Sequence, residues 1–402
     1  MPDPSDKMLR RFARGFGIEG DLPQETVPDA PSPTVEETRP GSLLDTDHGP
    51  VRQVVERRTT GYPYSPRPIE ELLLPAVTDH ARFLKDTRLG GFNREEALFL
   101  DTETTGLSHG AGTVAFLIGL GWFEADCFCM EQLLLDDYDQ EQAQLATLLE
   151  RLATKRYLVT YNGKSFDRSV LENRLVIHRF MTSREAHLRL MPHLDLLHVG
   201  RRIYRGQLTN HRLPTLEREL LDYLRVDDIS GEMVPQHYFQ YMLSGEGKHI
   251  EAVLKHNFDD VLSLVHLADH LLALVDPAVL PGNYAIAGNL GKLFANSGHT
   301  DKAITFLEHA LTSPPSEALV LARLLARLYR KTGRPPADHV ALWLPLHKTF
   351  PDDPTPLLEL AKLAERQNDY AGALKLTETA LSICPEDEGL WHRRARLLRR
   401  LS

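Results

Sequence analysis

The chain has 402 residues and a mass of 45.4 kDa, which is too long for one ordinary domain and predicts two or three. Its composition, 42% hydrophobic and 25% charged, is that of a soluble globular protein with a sizeable core. The formal net charge of −10 excludes a general positive field that would attract nucleic acid, so any such contact requires a local basic surface.

The three cysteines are too few for a disulfide framework, and they predict a reducing, cytoplasmic compartment. No uninterrupted apolar run approaches the roughly 20 residues that are needed to cross a bilayer. The N-terminus also lacks the apolar centre of a signal peptide. Together these features argue against a membrane protein or a secreted protein.

Residues 1–70 differ in composition from the rest of the chain. The segment KMLRRFARGFG (7–17) has apolar residues at near-helical spacing and is compatible with a small docking helix. The tract that follows it is rich in Pro, Asp, Glu and Thr, and it cannot bury enough apolar surface to offset its ordering entropy. The sequence therefore predicts that residues 1–70 form a largely disordered, proline-rich N-terminal region.

Residues 71–278 have the pattern of an α/β domain. The predicted elements are three strands, a helix, a strand and a second helix, at 97–101, 114–123, 127–135, 140–153, 157–161 and 167–180. The chain then looks helical to about residue 275, with 249–275 as the clearest element. Because two of the strands form a hairpin while others alternate with helices, this order predicts a mixed β-sheet flanked by helices.

Residues 279–402 contain an internal repeat and are predicted to be all-helical. Small residues and a final proline occur at the same offsets in 289–315 and in 357–385. The two prolines are 70 residues apart, close to two repeats of about 34 residues with a small insertion. This spacing is typical of tetratricopeptide repeats, whose helical hairpins bury their apolar faces by stacking. The sequence therefore predicts that this domain binds a protein partner.

Three separated acidic motifs carry the predicted chemistry. In LDTETTG (100–106), Asp101 and Glu103 lie two apart on a strand and therefore project from one face. Two adjacent carboxylates repel each other unless a cation lies between them, and hard oxygen ligands suit Mg²⁺ or Mn²⁺. Asp167 follows a strand and begins a helix, while His256 and Asp260 lie four apart on one face of the long helix.

These motifs, in this order, resemble the DEDD group of exonucleases within the ribonuclease H-like superfamily. The stretches FLDTETTGLSHGAGTVAFLIGLG, VTYNGKSFD, HLDLLHVGRR and HNFDDVLSL look like the bacterial YprB-like family of predicted exonucleases, some of which carry C-terminal tetratricopeptide repeats. The resemblance implies a ribonuclease H-like fold and phosphodiester hydrolysis assisted by two metal ions, Mg²⁺ or Mn²⁺. It also implies that the ions are held by Asp101, which would bridge them, and by Glu103, Asp167 and Asp260.

The third motif departs from the family pattern at one position. The usual form is Tyr-x-x-x-Asp or His-x-x-x-x-Asp, and YprB-like sequences typically have Tyr-Asn where this chain has His256 and Asn257. His256 therefore occupies the tyrosine-like place, four residues before Asp260. With an ordinary pKa of about 6.5, an imidazole can accept or orient a water proton near neutral pH. The sequence names His256 as a catalytic candidate but leaves the identity of the general base open.

Residues for contacting nucleic acid are predicted from local charge. The segment from residue 179 to residue 225 contains nine arginines and five acidic residues, which gives it a local charge of +4 in an acidic protein. Arg201, Arg202 and Arg205 are the preferred phosphate contacts in this segment. Thr104 and Asn162, which belong to the first and second motifs, are further candidates for contacts with nucleic acid beside the scissile phosphate.

The function predicted from the sequence is a metal-dependent 3′–5′ exonuclease that acts on single-stranded DNA or RNA. One alternative is a non-catalytic adaptor that binds nucleic acid and uses its repeats for protein partners. The other alternative is an endonuclease for structured substrates, which shares the same chemistry. The sequence does not distinguish DNA from RNA, because no reader of the 2′-hydroxyl can be located in it.

Overall fold

The structure is a computed structural model that describes residues 39–58, 69, 72, 84, 86–106, 112–125, 127–180 and 187–402. The predicted docking helix and most of the proline-rich tract lie outside the described residues. Among the described residues, the chain divides into two compact units. The first unit contains Gly91–Leu196, Arg212–Asp269 and the described residues before 76. The second contains Leu197–His211, His270–Ser402 and the described residues of Val77–Gly90.

The first unit is built on a seven-stranded mixed sheet. Its strands in chain order are β1 (Ser42–Thr46), β2 (Gly49–Arg58), β3 (Ala97–Thr104), β4 (Ala115–Glu124), β5 (Cys127–Leu134), β6 (Tyr157–Thr160) and β7 (His193–Asp195). The spatial order is β1-β2-β5-β4-β3-β6-β7. The pairs from β1 to β3 are antiparallel, whereas β6 pairs parallel to both β3 and β7. The predicted ribonuclease H-like mixed sheet is confirmed, and the predicted strands near 97, 115, 127 and 157 are all present.

The interpretation of residues 1–70 as largely disordered needs correction for residues 42–58. These residues form the hairpin β1–β2, and β2 pairs antiparallel with β5 along Arg52–Arg58. The buried guanidinium of Arg52 binds the carboxylate of Asp136 at 2.7 Å, and Asp136 also pairs with Arg39 and accepts a hydrogen bond from Tyr241. Backbone pairing and this charge cluster compensate for the small apolar content of the segment, which is why composition alone misjudged it.

Helices cover both faces of the sheet in the first unit. The helices before the repeats are, in chain order, α1 (Glu141–Ala153), α2 (Asp167–Ile177), α3 (His187–Leu190), α4 (Leu196–Ile203), α5 (Leu213–Leu220), α6 (Val234–Ser244) and α7 (Glu251–Ala273). Nearly all of α4 and the last residues of α7 belong to the second unit, and the other helices belong to the first. Apolar residues of α1 and α2 pack with one set of strand residues, including Leu100 and Leu120. Apolar residues of α6 and α7 pack with a second set, including Leu117 and Leu134. Because strand residues alternate between the two sets, side chains at odd positions of β3 face α7.

Two glycines on β4 let α7 approach the sheet closely. A Cβ atom at Gly121 would lie 2.7 Å from a methyl group of Val261, well inside van der Waals contact. At Gly119 a Cβ atom would overlap the side-chain amide of Asn257. Glycine weakens a strand interior, so two glycines here indicate a close approach of another element. They place α7 directly over the middle of β3 and β4, since Gly119 pairs with Asp101 across the ladder.

The second unit is dominated by antiparallel helices. They are α8 (Tyr284–Ser297), α9 (Thr300–Thr312), α10 (Ala318–Thr332), α11 (Pro336–Thr349), α12 (Thr355–Arg366), α13 (Tyr370–Ile383) and α14 (Glu388–Leu401). The small residues that define the repeat are buried where helices pack, as at Ala303, Ala310, Ala373 and Ala380. The predicted all-α repeat region is thus confirmed. The unit also includes Leu197–His211, whereas the sequence interpretation assigned residues 71–278 to a single domain.

Within the described part of the chain, no helix combines the length and the apolar character that a membrane span requires.

Candidate metal and catalytic centre

The centre is built around two acidic side chains on β3. Asp101 and Glu103 alternate with Thr102, so the two carboxylates face α7 while Thr102 faces the side of α2. β3 is a central strand, paired with β4 on one side and β6 on the other. Pairing with β4 positions the backbone at Asp101 and Glu103, and both side chains are half-buried next to α7.

Asp167 reaches the centre from the first residue of α2. Its Oδ1 atom accepts hydrogen bonds from the backbone N–H of Thr102 at 3.1 Å and from the Thr102 hydroxyl at 2.6 Å. The first turn of a helix favours a carboxylate because its backbone N–H groups carry partial positive charge. Thr102, which lies between Asp101 and Glu103, thus links Asp167 to the strand that carries both acidic residues.

The turn before Asp167 is fixed by Asp195, at the end of β7. The two oxygens of the Asp195 carboxylate accept from the backbone N–H groups of Asn162 and Lys164, each at 3.0 Å. Asn162 has φ = 63°, a left-handed conformation that asparagine tolerates better than most residues. This gives the backbone of Asn162 a structural role. The predicted contact of its exposed side chain with nucleic acid stays a prediction.

The helix α7 adds His256 and Asp260, which lie one turn apart. His256 Nε2 and Asp260 Oδ2 are 3.7 Å apart. Among the described residues, Glu103, His256 and Asp260 each offer one ligand atom, and these atoms all lie within 4.8 Å of one another. The structure therefore brings a strand carboxylate and a helix carboxylate around an imidazole, in a group that can hold a metal ion.

The pKa values show that the four carboxylates form one electrostatic cluster. Burial, and then the charges of Asp260, Glu103 and Asp167, raise the pKa of Asp101 well above its ordinary range. Burial and the charge of Asp260 raise the pKa of Glu103 to about 8. Burial also raises the pKa of Asp167 to about 6, against the opposing hydrogen bonds from Thr102. Such mutual repulsion in a partly desolvated site is relieved by a bound cation.

A buried arginine, Arg225, belongs to the same cluster and was missed as a site residue by sequence reasoning. Its guanidinium binds the carboxylates of Glu217, Asp228 and Asp260. Burial works against its charge, but Asp260 and Glu217 outweigh burial and raise the pKa of Arg225. In the sequence it looked like one more arginine of the basic segment 179–225. No local pattern distinguishes it, because its partner Asp260 lies 35 residues away.

The imidazole ring of His256 lies between two carboxylates, Asp228 at Nδ1 and Asp260 at Nε2. Its Nδ1 atom lies 2.7 Å from Asp228 Oδ1 and 3.4 Å from Nη1 of Arg225. The carboxylate is the closer partner and favours a proton on Nδ1, while Nε2 lies toward Asp260. Burial alone would lower the pKa of His256. The charges of Asp260 and Glu103 and the hydrogen bond to Asp228 outweigh burial and raise it.

The remaining residues predicted to contact nucleic acid lie in varied surroundings. Thr104 is buried at the end of β3, and its hydroxyl donates to the carbonyl of Gly106 at 2.9 Å. Arg201 and Arg205 are exposed, while Arg202 is half-buried and donates from Nε to the carbonyl of His198. These three arginines belong to the second unit, not to the unit that holds the carboxylates. Their role in binding nucleic acid stays a prediction.

The fold and the cluster define a ribonuclease H-like domain followed by helical repeats. A sequence profile of the RNase_H superfamily matches residues 98–272, and a tetratricopeptide repeat profile matches residues 354–397. The chain is also 34% identical over 322 residues to the uncharacterized protein YprB of Bacillus subtilis (strain 168). That alignment covers 78% of this chain and 76% of the relative.

The chain therefore belongs to the YprB-like family of ribonuclease H-like proteins with C-terminal tetratricopeptide repeats, as the sequence motifs predicted. Membership of the RNase_H superfamily indicates a nuclease that acts on nucleic acid and uses divalent metal ions. The repeats indicate contacts with another protein.

Proposed function

We propose that the protein is a 3′–5′ exonuclease that hydrolyses single-stranded nucleic acid with the help of two divalent ions, Mg²⁺ or Mn²⁺. The observation that carries the proposal is the convergence of Asp101, Glu103, Asp167 and Asp260, whose charges perturb one another across three separate segments of the chain. Four clustered carboxylates are costly for a metal-free protein, which favours a site that is used.

The donor set fits such ions. Carboxylate oxygens are the ligands that Mg²⁺ and Mn²⁺ prefer, and the proposed ligands are the four carboxylates of Asp101, Glu103, Asp167 and Asp260. Glu103 and Asp260 each place an oxygen within 4.8 Å of the other and of a ring nitrogen of His256. When bound, the ions supply positive charge against the phosphate and lower the pKa of water.

The protein's own groups orient this chemistry. Asp228 holds the Nδ1 side of His256, so that Nε2 is the ring atom available for a proton near Asp260. In the proposed reaction, Nε2 orients or accepts the proton of the attacking water. Thr102 and Asp195 keep Asp167 in place through its carboxylate and through the turn that precedes it.

Polarity, strand preference and location are extensions of the same proposal. The 3′–5′ direction and the single-stranded substrate come from the family resemblance. Arg201, Arg202 and Arg205 are the proposed phosphate contacts, assisted by Thr104 and Asn162. The repeat unit is proposed to bind a protein partner, and the reducing cytoplasm fits the three cysteines, all described by the structure and none in a disulfide.

A digest of end-labelled oligonucleotides tests the proposal. Single- and double-stranded DNA and RNA, labelled at either end, are incubated with Mn²⁺ and with wild-type protein or Asp101→Asn. We expect the wild-type protein to shorten single strands progressively from the 3′ end. Cleavage should be lost in chelator, and its rate should be reduced by at least about 10³-fold in Asp101→Asn. Equal cleavage by the variant would contradict the assignment of Asp101. Products from internal cleavage alone would favour the endonuclease.

One observation favours a second candidate, a non-catalytic adaptor that binds nucleic acid. Arg225 already neutralises Asp260, so part of the charge that a metal would balance is balanced by the protein itself. Thermal unfolding with increasing Mn²⁺ separates the two candidates, because a ligand that binds only the native state raises its melting temperature. A rise in wild type that is absent in Asp101→Asn supports the nuclease, and an unchanged melting temperature in both supports the adaptor.

A further inference from the structure

Asn257, a fully buried residue of α7, lies directly against Asp101. Its Nδ2 atom donates to Asp101 Oδ2 at 2.9 Å and lies 3.4 Å from the backbone carbonyl oxygen of the same residue. This bond to one carboxylate oxygen restricts the rotation of the Asp101 side chain. It comes from a neutral amide, so it orients the carboxylate without cancelling the charge that would attract a cation.

The direction of that hydrogen bond is set by the main chain. Gln132 Nε2 donates to the backbone carbonyl of Leu254 at 2.8 Å and to Asn257 Oδ1 at 2.9 Å. Since a carbonyl can only accept, Gln132 must present its NH₂ group there. Asn257 must then present its oxygen to Gln132 and its NH₂ group to Asp101. Each amide in the chain from Leu254 to Asp101 thus has one orientation.

Gly119 supplies a second, independent observation. It pairs with Asp101 across the β3–β4 ladder, and a Cβ atom at this position would overlap the Asn257 amide. A glycine costs stability in the interior of a strand, so its presence at this register needs a reason. The reason that the packing offers is room for the amide of Asn257 beside Asp101.

We propose that Asn257 is a positioning residue for Asp101. Gln132 orients the side-chain amide of Asn257, and the lack of a side chain at Gly119 leaves room for that amide. The proposal rests on the proposed function, because positioning Asp101 matters only if Asp101 binds metal. Partners that orient a metal ligand in this way typically change metal affinity or activity by about 10–100-fold when they are removed.

The test is a double-mutant cycle in the full-length protein with Asn257→Ala, Gly119→Ala and the combined variant. Mn²⁺ affinity is measured by calorimetry, and kcat and KM are measured separately on an end-labelled oligonucleotide. We expect each single variant to lose about 10–100-fold in Mn²⁺ affinity and in kcat, with KM within about threefold of wild type. In Mn²⁺ affinity and in kcat, the combined variant should lie within about twofold of the more impaired single variant, because the two changes remove the same interaction.

Gly121→Ala is the matched control. It loosens the same strand against the same helix through Phe128 and Val261, but it does not meet Asn257. We expect it to lower the melting temperature in chelator while Mn²⁺ affinity stays within about threefold of wild type. Combined with Asn257→Ala, its effects should add, because the two changes disturb different contacts.

The outcomes separate this inference from the function on which it rests. If wild type binds Mn²⁺ and cleaves, but Asn257→Ala retains both properties, the positioning role is wrong while the nuclease stands. Equal losses in Gly119→Ala and Gly121→Ala would mean general packing damage and would also overturn it. If wild type neither binds Mn²⁺ nor cleaves, the proposed function fails and the positioning role fails with it. Should Asn257→Ala not fold, Asn257→Leu is close to it in shape and removes the donor without adding a charge, and wild-type Mn²⁺ affinity and kcat in that variant would refute the inference.

Discussion

Replacing Glu103 by Gln should stabilise the metal-free protein at neutral and alkaline pH. The pKa of Glu103 is raised from an ordinary 4.5 to about 8 by burial and by Asp260. A raised native pKa means that the native state binds more protons than the unfolded chain, so stability falls as pH rises from about 4.5 to about 8. At pH 7 this corresponds to about 3 kcal/mol at most, since each pKa unit is worth about 1.4 kcal/mol.

The neutral amide removes this penalty, and screening by solvent at the half-buried site reduces the gain to about 1–3 kcal/mol. For a domain of this size that corresponds to roughly 3–8 °C in melting temperature. Thermal unfolding in EDTA should therefore give a higher melting temperature for Glu103→Gln than for wild type at pH 8, and equal values near pH 4.5. The exposed Glu232→Gln is the control and should change neither value. A variant no more stable than wild type at pH 8 would refute the reasoning.

Two further variants test other parts of the molecule. Arg225→Met should cost about 3–5 kcal/mol in urea unfolding, because it leaves the buried carboxylate of Glu217 without its cation, and Glu217→Gln in the same chain should recover part of the loss. A cost below about 1 kcal/mol would show that Arg225 is dispensable. The pair Arg201→Ala and Arg202→Ala should lower the salt dependence of single-strand binding by about 0.7 in log–log slope per lost phosphate contact. An unchanged slope in fluorescence anisotropy titrations would place the nucleic-acid surface elsewhere.

Arg225 places a positive charge inside the acidic centre. Its guanidinium touches three carboxylates, one of which, Asp260, is also a proposed metal ligand. The charge of Asp260 is therefore divided between an internal cation and any ion that binds. His256 adds a group whose charge depends on the same neighbours, since Asp260 and Glu103 both raise its pKa. The centre consequently contains one fixed cation, Arg225, and the Mn²⁺ experiments measure what a bound ion adds to it.

Local sequence patterns were enough to predict most strands of the sheet and to identify the acidic residues. The strands β3 to β6 and the helix α7 were predictable because burial imposes a hydrophobic period on neighbouring residues, and that period is a local property. The alternation of Asp101 and Glu103 followed from strand geometry in the same way. The class of protein followed from three motifs in order, each in its expected element.

The contacts between residues far apart in the chain became visible in the folded protein and not before. Asn257 binds Asp101 across 156 positions of the chain, and Arg225 binds Asp260 across 35. The hairpin Ser42–Arg58 looked too polar to fold, yet it is held by pairing with β5 and by Asp136. Such contacts leave no periodic trace, because a buried arginine or amide is stabilised by its particular partner and not by its sequence neighbours.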